Sequence, residues 1–125
     1  MKKKIAILGS TGSIGKSLLD IINTDKKKFK IILLTAKKNY KIILKQATHF
    51  NVKNIIITDI HSYKKALKIN KDKRINIYNN FNFFNNIFDS KIDYTMSSII
   101  GLVGLEPTLK IIKHTKTIAI ANKEA

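Results

Sequence analysis

A chain of 125 residues has room for one domain with a real core, and the absence of cysteine excludes disulfide frameworks and thiolate metal sites. The net charge of +16 would ordinarily point to nucleic acid or an anionic membrane, yet all but one of the 24 cations are lysine, the exception being Arg74. Lys, Ile and Asn are all abundant and share A/T-rich codons, and a nucleic-acid reader would favour arginine for bidentate contacts, so the charge reads as compositional bias with neither nucleic acid nor membrane as partner.

Met1-Lys2-Lys3-Lys4 followed by Ile5–Leu8 imitates a signal peptide, but the apolar run is too short and is broken by Gly9 and Ser10. A soluble, cytoplasmic protein is expected. Ile5–Leu8 reads instead as a strand buried on both faces. Next comes a helical pattern with Ile14, Leu18, Ile21 and Ile22 as its expected apolar face. Strand-like Ile31–Thr35 precedes a helix over Tyr40–Phe50 that places Ile43, Ala47 and Phe50 together. Ile55–Thr58 is the next strand, His61–Ile69 a shorter helix and Ile75–Tyr78 a weaker strand. Phe81, Phe84 and Phe88 form a helical stripe that is expected to enter the core rather than stack on bases. Strand Tyr94–Ile99 is followed by a helix with Leu105, Leu109 and Ile112 as its stripe and Pro107 in its first turn, where a missing N–H costs nothing. Thr117–Ala121 is the last strand. The alternation predicts an α/β fold, a doubly wound parallel sheet in a single domain over residues 1–125 with right-handed crossovers. The chain stops at Asn122-Lys123-Glu124-Ala125, straight after a strand, at the end where such sheets carry ligand chemistry. It reads as part of a longer protein.

The first strand runs directly into Gly9-Ser10-Thr11-Gly12-Ser13-Ile14-Gly15. Glycines allow a sharp turn and let a phosphate approach without meeting a Cβ, and a helix start adds free N–H groups and a positive dipole end. Two nucleotide readings compete. Glycines at 9, 12 and 15 between strand and helix fit a dinucleotide fold in a G-x-x-G-x-x-G variant. Ser10–Ser17 also misses the P-loop pattern by its first glycine alone, with Lys16 in the lysine position and Asp59 imitating a magnesium-holding acid. The second strand decides between them. It ends in Thr35-Ala36-Lys37-Lys38-Asn39, with no carboxylate for the ribose hydroxyls of NAD and two ammonium groups where a 2′-phosphate would sit. NADPH is the expected cofactor.

Three motifs then add up to a family. Gly9–Gly15, the block Ile100-Gly101-Leu102-Val103-Gly104-Leu105-Glu106-Pro107-Thr108-Leu109, and Thr117–Ala125 with its Ala121-Asn122-Lys123-Glu124 resemble, in order, the N-terminal motifs of 1-deoxy-D-xylulose 5-phosphate reductoisomerase. The resemblance implies a Rossmann-like NADPH-binding domain of an enzyme that uses a divalent metal, Mg or Mn. That enzyme rearranges 1-deoxy-D-xylulose 5-phosphate, a phosphorylated sugar, and reduces it to 2-C-methyl-D-erythritol 4-phosphate for isoprenoid biosynthesis, as a homodimer. It also implies that Gly9, Thr11, Gly12, Ser13 and Ile14 meet the pyrophosphate, and that Lys38 and Asn39 meet the adenosine ribose and its 2′-phosphate. Asn122 and Glu124 would face the nicotinamide half, and Lys123 the substrate.

Lys37 stands where the family usually has glycine, and it is counted with the cofactor contacts for the charge that it adds. The family's metal-binding carboxylates, substrate-phosphate contacts and lid lie beyond the Asn-Lys-Glu motif, so no metal ligand is expected within these residues. Asp89, Asp93 and Glu106 do not replace them, and His49, His61 and His114 share no ligand spacing. A fragment of this extent is expected to bind NADPH without turning over substrate, because the groups that hold the substrate against the nicotinamide lie elsewhere.

Overall fold

The computed structural model describes residues 2–99 and 101–121. Six parallel strands form one sheet: β1 (Lys3–Leu8), β2 (Phe29–Ala36), β3 (Asn54–Ile57), β4 (Asn76–Tyr78), β5 (Ile92–Ser97) and β6 (Thr115–Ile120), in the order β4-β3-β2-β1-β5-β6. Helices α1 (Ser13–Asn23), α2 (Tyr40–His49) and α3 (Ile60–Ile69) link the first four strands. The chain then returns to the centre through the single turn α4 (Phe84–Ile87), and α5 (Leu105–Ile111) joins β5 to β6. Every strand predicted from the sequence is present, within three residues at each end.

The order reverses direction at β1, and the two halves of the crossover set use opposite faces. On one face, Ile5, Ile7, Leu34, Ile55 and Ile57 pack against Leu19 and Ile22 of α1, Ile43 and Ala47 of α2, and Ala66 of α3. On the other, Ala6, Leu8, Leu33 and Ile56 pack against Phe84, Ile87, Phe88 and Ile111. Helices therefore cover both faces, as a doubly wound sheet requires. A bulge in β2 lets it serve both clusters. Ile5 pairs with Ile31 but Ala6 with Leu33, so Ile32 is the extra residue, and both Ile32 and Leu33 face the second cluster. Buried Ile and Leu side chains of this kind are each worth about 1.5–3 kcal/mol against exposure.

Two helix faces differ from the sequence expectation. In α1 the inward residues are Gly15, Leu19 and Ile22, whereas Ile14 and Ile21 are 41% and 64% exposed and Leu18 is half-buried. In α5 they are Pro107, Thr108 and Ile111, whereas Leu105, Leu109 and Ile112 are exposed. The cause is the same in both. A Cβ on Gly15 would lie 2.4 Å from the Gly9 carbonyl oxygen, and one on Gly104 would lie 2.6 Å from that of Ile99. Close backbone contact at a glycine fixes the rotation of the helix, and residues three, four and seven places on from it then turn inward. The phenylalanine stripe enters the core as expected. Phe84 and Phe88 are buried and Phe81 packs at their margin, though only Phe84–Ile87 is helical.

Candidate functional site

Three loops meet at the carboxyl ends of the central strands, where the sheet order reverses. After β1, Gly9 turns the chain with φ +84°, a left-handed conformation that suits glycine. A Cβ there would lie 3.1 Å from Ser98 Oγ, so the close approach of the β5 loop reinforces the requirement. Thr35, the penultimate residue of β2, anchors the turn. Its Oγ1 accepts from the Gly9 amide and its carbonyl from the Ser10 amide, both at 2.9 Å. On the other side, Ser98 donates from its amide to the Leu8 carbonyl at 2.9 Å and from its hydroxyl to the carbonyls of Leu8 and Gly9.

The helix start above this turn is open. Gly12 is the N-cap of α1, in extended conformation, and no side chain caps the helix. Its first turn contains no acidic residue. The first amide to find a helical acceptor is that of Lys16, which donates to the Gly12 carbonyl at 2.9 Å. Gly12, Ser13 and Ile14 are exposed and Thr11 half-buried. Backbone donors and the positive dipole end thus face solvent, the arrangement that binds phosphate. A Cβ on Gly12 would meet only the Gly9 carbonyl oxygen, at 3.7 Å, so this glycine is not imposed by packing.

The second loop lies alongside. Lys37, Lys38 and Asn39 are exposed, and Asn39 Nδ2 donates to Thr11 Oγ1 at 3.4 Å. The structure therefore gathers eight sequence-predicted residues, Gly9, Thr11, Gly12, Ser13, Ile14, Lys37, Lys38 and Asn39, along one edge. The last strand leads to the same end of the sheet, because the Ala121 amide donates to the Ser97 carbonyl at 2.9 Å. Asn122, Lys123 and Glu124 lie outside the described residues.

The P-loop reading loses both of its auxiliary residues. Lys16 is exposed on α1 and borders a shallow groove with Asn23, Gln46 and His49, towards α2. Asp59 caps α3, accepting from the Ser62 amide at 3.0 Å and the Ser62 hydroxyl at 2.8 Å. Those two bonds hold its carboxyl below the usual carboxylate range, with the charge of Lys38 adding to them. The nucleic-acid reading has no stacking platform, since Phe84 and Phe88 are inside.

The acids and histidines set aside in the sequence are dispersed, and no three His, Cys, Asp or Glu residues group as a metal site among the described residues. Asp93 sits at the opposite end of the sheet, accepting from the Lys4 amide at 2.8 Å and pairing with Lys116. Glu106 pairs with Lys110, His49 bonds Asn23, and His114 stacks on Phe88. Among the described residues no helix is long and apolar enough to cross a membrane. Sequence reasoning did not single out Thr35, Gln46 or Ser98, which hold the turn from below. A polar residue beside the apolar stripe of a helix, as Gln46 is, was the available signal.

Comparison with known proteins places this arrangement. The profile of the 1-deoxy-D-xylulose 5-phosphate reductoisomerase family matches residues 5–125. The reductoisomerase of Pelagibacter ubique is 58% identical over 125 residues, covering 98% of this chain and 32% of that protein. That of Phocaeicola vulgatus is 36% identical, covering 99% of this chain and 33% of that protein. A solved structure of the Zymomonas mobilis enzyme in complex with NADPH superposes with a TM-score of 0.87 at 32% identity, covering 98% of this chain and 32% of the other. The chain spans about a third of the length of the relatives it matches. With its glycine turn, its open helix start and a family profile that runs almost from end to end, the chain belongs to the 1-deoxy-D-xylulose 5-phosphate reductoisomerase family.

Proposed function

We propose that this chain is the NADPH-binding domain of a reductoisomerase that converts 1-deoxy-D-xylulose 5-phosphate into 2-C-methyl-D-erythritol 4-phosphate. The observation that carries the proposal is the uncapped start of α1 above a glycine turn, with Lys37 and Lys38 beside it. The residues present fit the cofactor. The amides from Thr11 to Ile14 receive the pyrophosphate. Gly12 keeps their approach clear of a side chain, and Gly9 and Gly15 hold the turn beneath them. Lys37, Lys38 and Asn39 receive the adenosine ribose and its 2′-phosphate. One charge-assisted contact is enough for a tenfold preference for NADPH over NADH, which needs about 1.4 kcal/mol.

Bound NADPH supplies a hydride to the rearranged carbonyl substrate. Asn122 and Glu124 orient the nicotinamide half by hydrogen bonding, and Lys123 neutralises charge on a substrate oxygen. Solved relatives have been crystallised with magnesium and with NADPH, fosmidomycin and magnesium. The described residues here offer no donor set for a metal, so we assign the divalent ion, the substrate phosphate and the lid to the rest of a longer, cytoplasmic and homodimeric protein.

Fluorescence titration of the chain with NADPH, NADH and ATP tests the proposal. The expected result is NADPH binding at least about tenfold tighter than NADH, no magnesium-dependent preference for ATP, and no turnover of substrate by this chain alone. Preference for ATP, or a salt-sensitive polyanion affinity indifferent to NADPH, would overturn it.

A further inference from the structure

We propose that Gln46 is a positioning residue for the cofactor: from α2 it latches the buried Ser10 and thereby fixes the peptide planes that aim the Thr11–Ile14 amides. The inference rests on the NADPH reading given above. Ser10 is fully buried beneath the turn. Its hydroxyl donates to Gln46 Oε1 at 2.8 Å, and its carbonyl accepts from Gln46 Nε2 at 3.0 Å. A carbonyl only accepts, so chemistry alone dictates which end of the Gln46 amide faces it. The Ser10 amide is already committed to Thr35. All three polar groups of Ser10 are thus held from two neighbouring elements, β2 and α2.

The consequences reach both ends of the candidate site. A Cβ on Gly15 would lie 2.6 Å from Ser10 Cα, so Ser10 is also the surface on which the first turn of α1 rests. If Ser10 shifts, the open amides shift with it. Gln46 lies seven residues along the chain from Asn39, on the helix that begins at the adenosine-side loop. One helix therefore carries the 2′-phosphate loop at its start and the pyrophosphate latch nearly two turns later. Removing the latch leaves a buried carbonyl without its donor, a loss of the size that alters affinity about tenfold.

The test uses Gln46→Met, which keeps the length of the side chain and loses both bonds, and Ser10→Ala, which loses only the hydroxyl bond. Amide hydrogen exchange is measured at Gly9, Ser10 and Gly12 against the core strand amides of Ile55 and Ile56. Binding is measured with NADPH and with 2′-AMP, which lacks the pyrophosphate. The expected result for Gln46→Met is roughly tenfold faster exchange in the turn alone and roughly tenfold weaker NADPH binding, with 2′-AMP affinity within twofold of the original; Ser10→Ala should show the same pattern more weakly. Unchanged exchange in the turn would overturn the latch. So would equal weakening of both ligands together with lost core protection, which marks a merely structural residue. Failure of the unaltered chain to bind NADPH would overturn the coenzyme reading and with it the purpose of the latch, whereas normal NADPH binding by both variants overturns the latch alone.

Discussion

Helices α1 and α3 both begin just after a strand of the same parallel sheet, and they treat their first turns in opposite ways. Asp59 closes the start of α3 with its own carboxylate, bonded to the amide and hydroxyl of Ser62. The start of α1 has glycine at the N-cap and no acidic residue in its first turn. Capping by Asp or Ser is the default for an isolated helix because it satisfies orphan donors and complements the dipole. A helix that forgoes it keeps those donors available for an anion from outside. The difference marks α3 as structural and α1 as the binding element, although each follows a hydrophobic strand and each has an acid or a glycine where a nucleotide motif would want one.

The contrast can be broken at several points. The largest effect is expected from Gly15→Ala. The added Cβ meets the Gly9 carbonyl and the Ser10 backbone, neither of which can rotate away, so about 3 kcal/mol of stability and NADPH binding should be lost together. Thermal unfolding with and without NADPH reads both.

Gly12→Asp should separate stability from function. There is room for the side chain, and a carboxylate at this N-cap would do for α1 what Asp59 does for α3. Stability of the ligand-free chain should rise by about 0.5–1 kcal/mol while NADPH affinity falls at least about tenfold. The reciprocal change, Asp59→Ala, should lower the melting temperature and leave NADPH affinity as it was. Its folded pKa is depressed, chiefly by the bonds from Ser62, so the contribution of the cap is present at neutral pH and is lost as pH falls through the folded value, below the ordinary carboxylate range.

Thr95 sharpens the same distinction between open and buried donors. Among the described residues its hydroxyl is the one buried side-chain polar group without a hydrogen-bond partner, and it faces no opening. Thr95→Val should therefore stabilise by up to about 1 kcal/mol without altering NADPH affinity, as urea unfolding and titration would show. The smallest expected effect comes from His114. Burial, with Lys113 adding to it, holds its imidazole below the ordinary value of about 6.5, and it stacks on Phe88 at 5.3 Å between ring centres. The unfolded chain then takes up the proton first, so stability present above about pH 6.5 is lost as pH falls towards the folded value. His114→Gln should flatten unfolding free energy between pH 7.5 and 5.5.

Much of this molecule is legible in its sequence. Continuous β-branched runs such as Ile5–Leu8 and Asn54–Ile57 can be buried on both faces only in a covered parallel sheet, and each becomes a strand there. The site loops are also legible, because Gly9 needs its φ and because Lys37-Lys38-Asn39 follows a strand. The inward faces of α1 and α5 are not. The largest apolar stripe of α5, Leu105-Leu109-Ile112, is exposed, since Gly104 and not leucine decides how that helix meets the β5 loop. Hydrophobic periodicity assumes that bulk seeks burial, and it fails where backbone-to-backbone contact sets the rotation. Thr35, Gln46 and Ser98 were invisible for a related reason. Their roles are bonds to backbone groups far away in sequence, and no local pattern encodes those partners.

The most direct test of the open helix start is an NMR titration of the isotope-labelled chain with NADPH. The account requires the largest amide shifts at Thr11, Gly12, Ser13 and Ile14, with a second group at Lys37–Asn39 that is weakened when NADH replaces NADPH. Shifts centred instead on the lysine-lined hollow between α2 and α3, or an unperturbed turn at saturating NADPH, would contradict it.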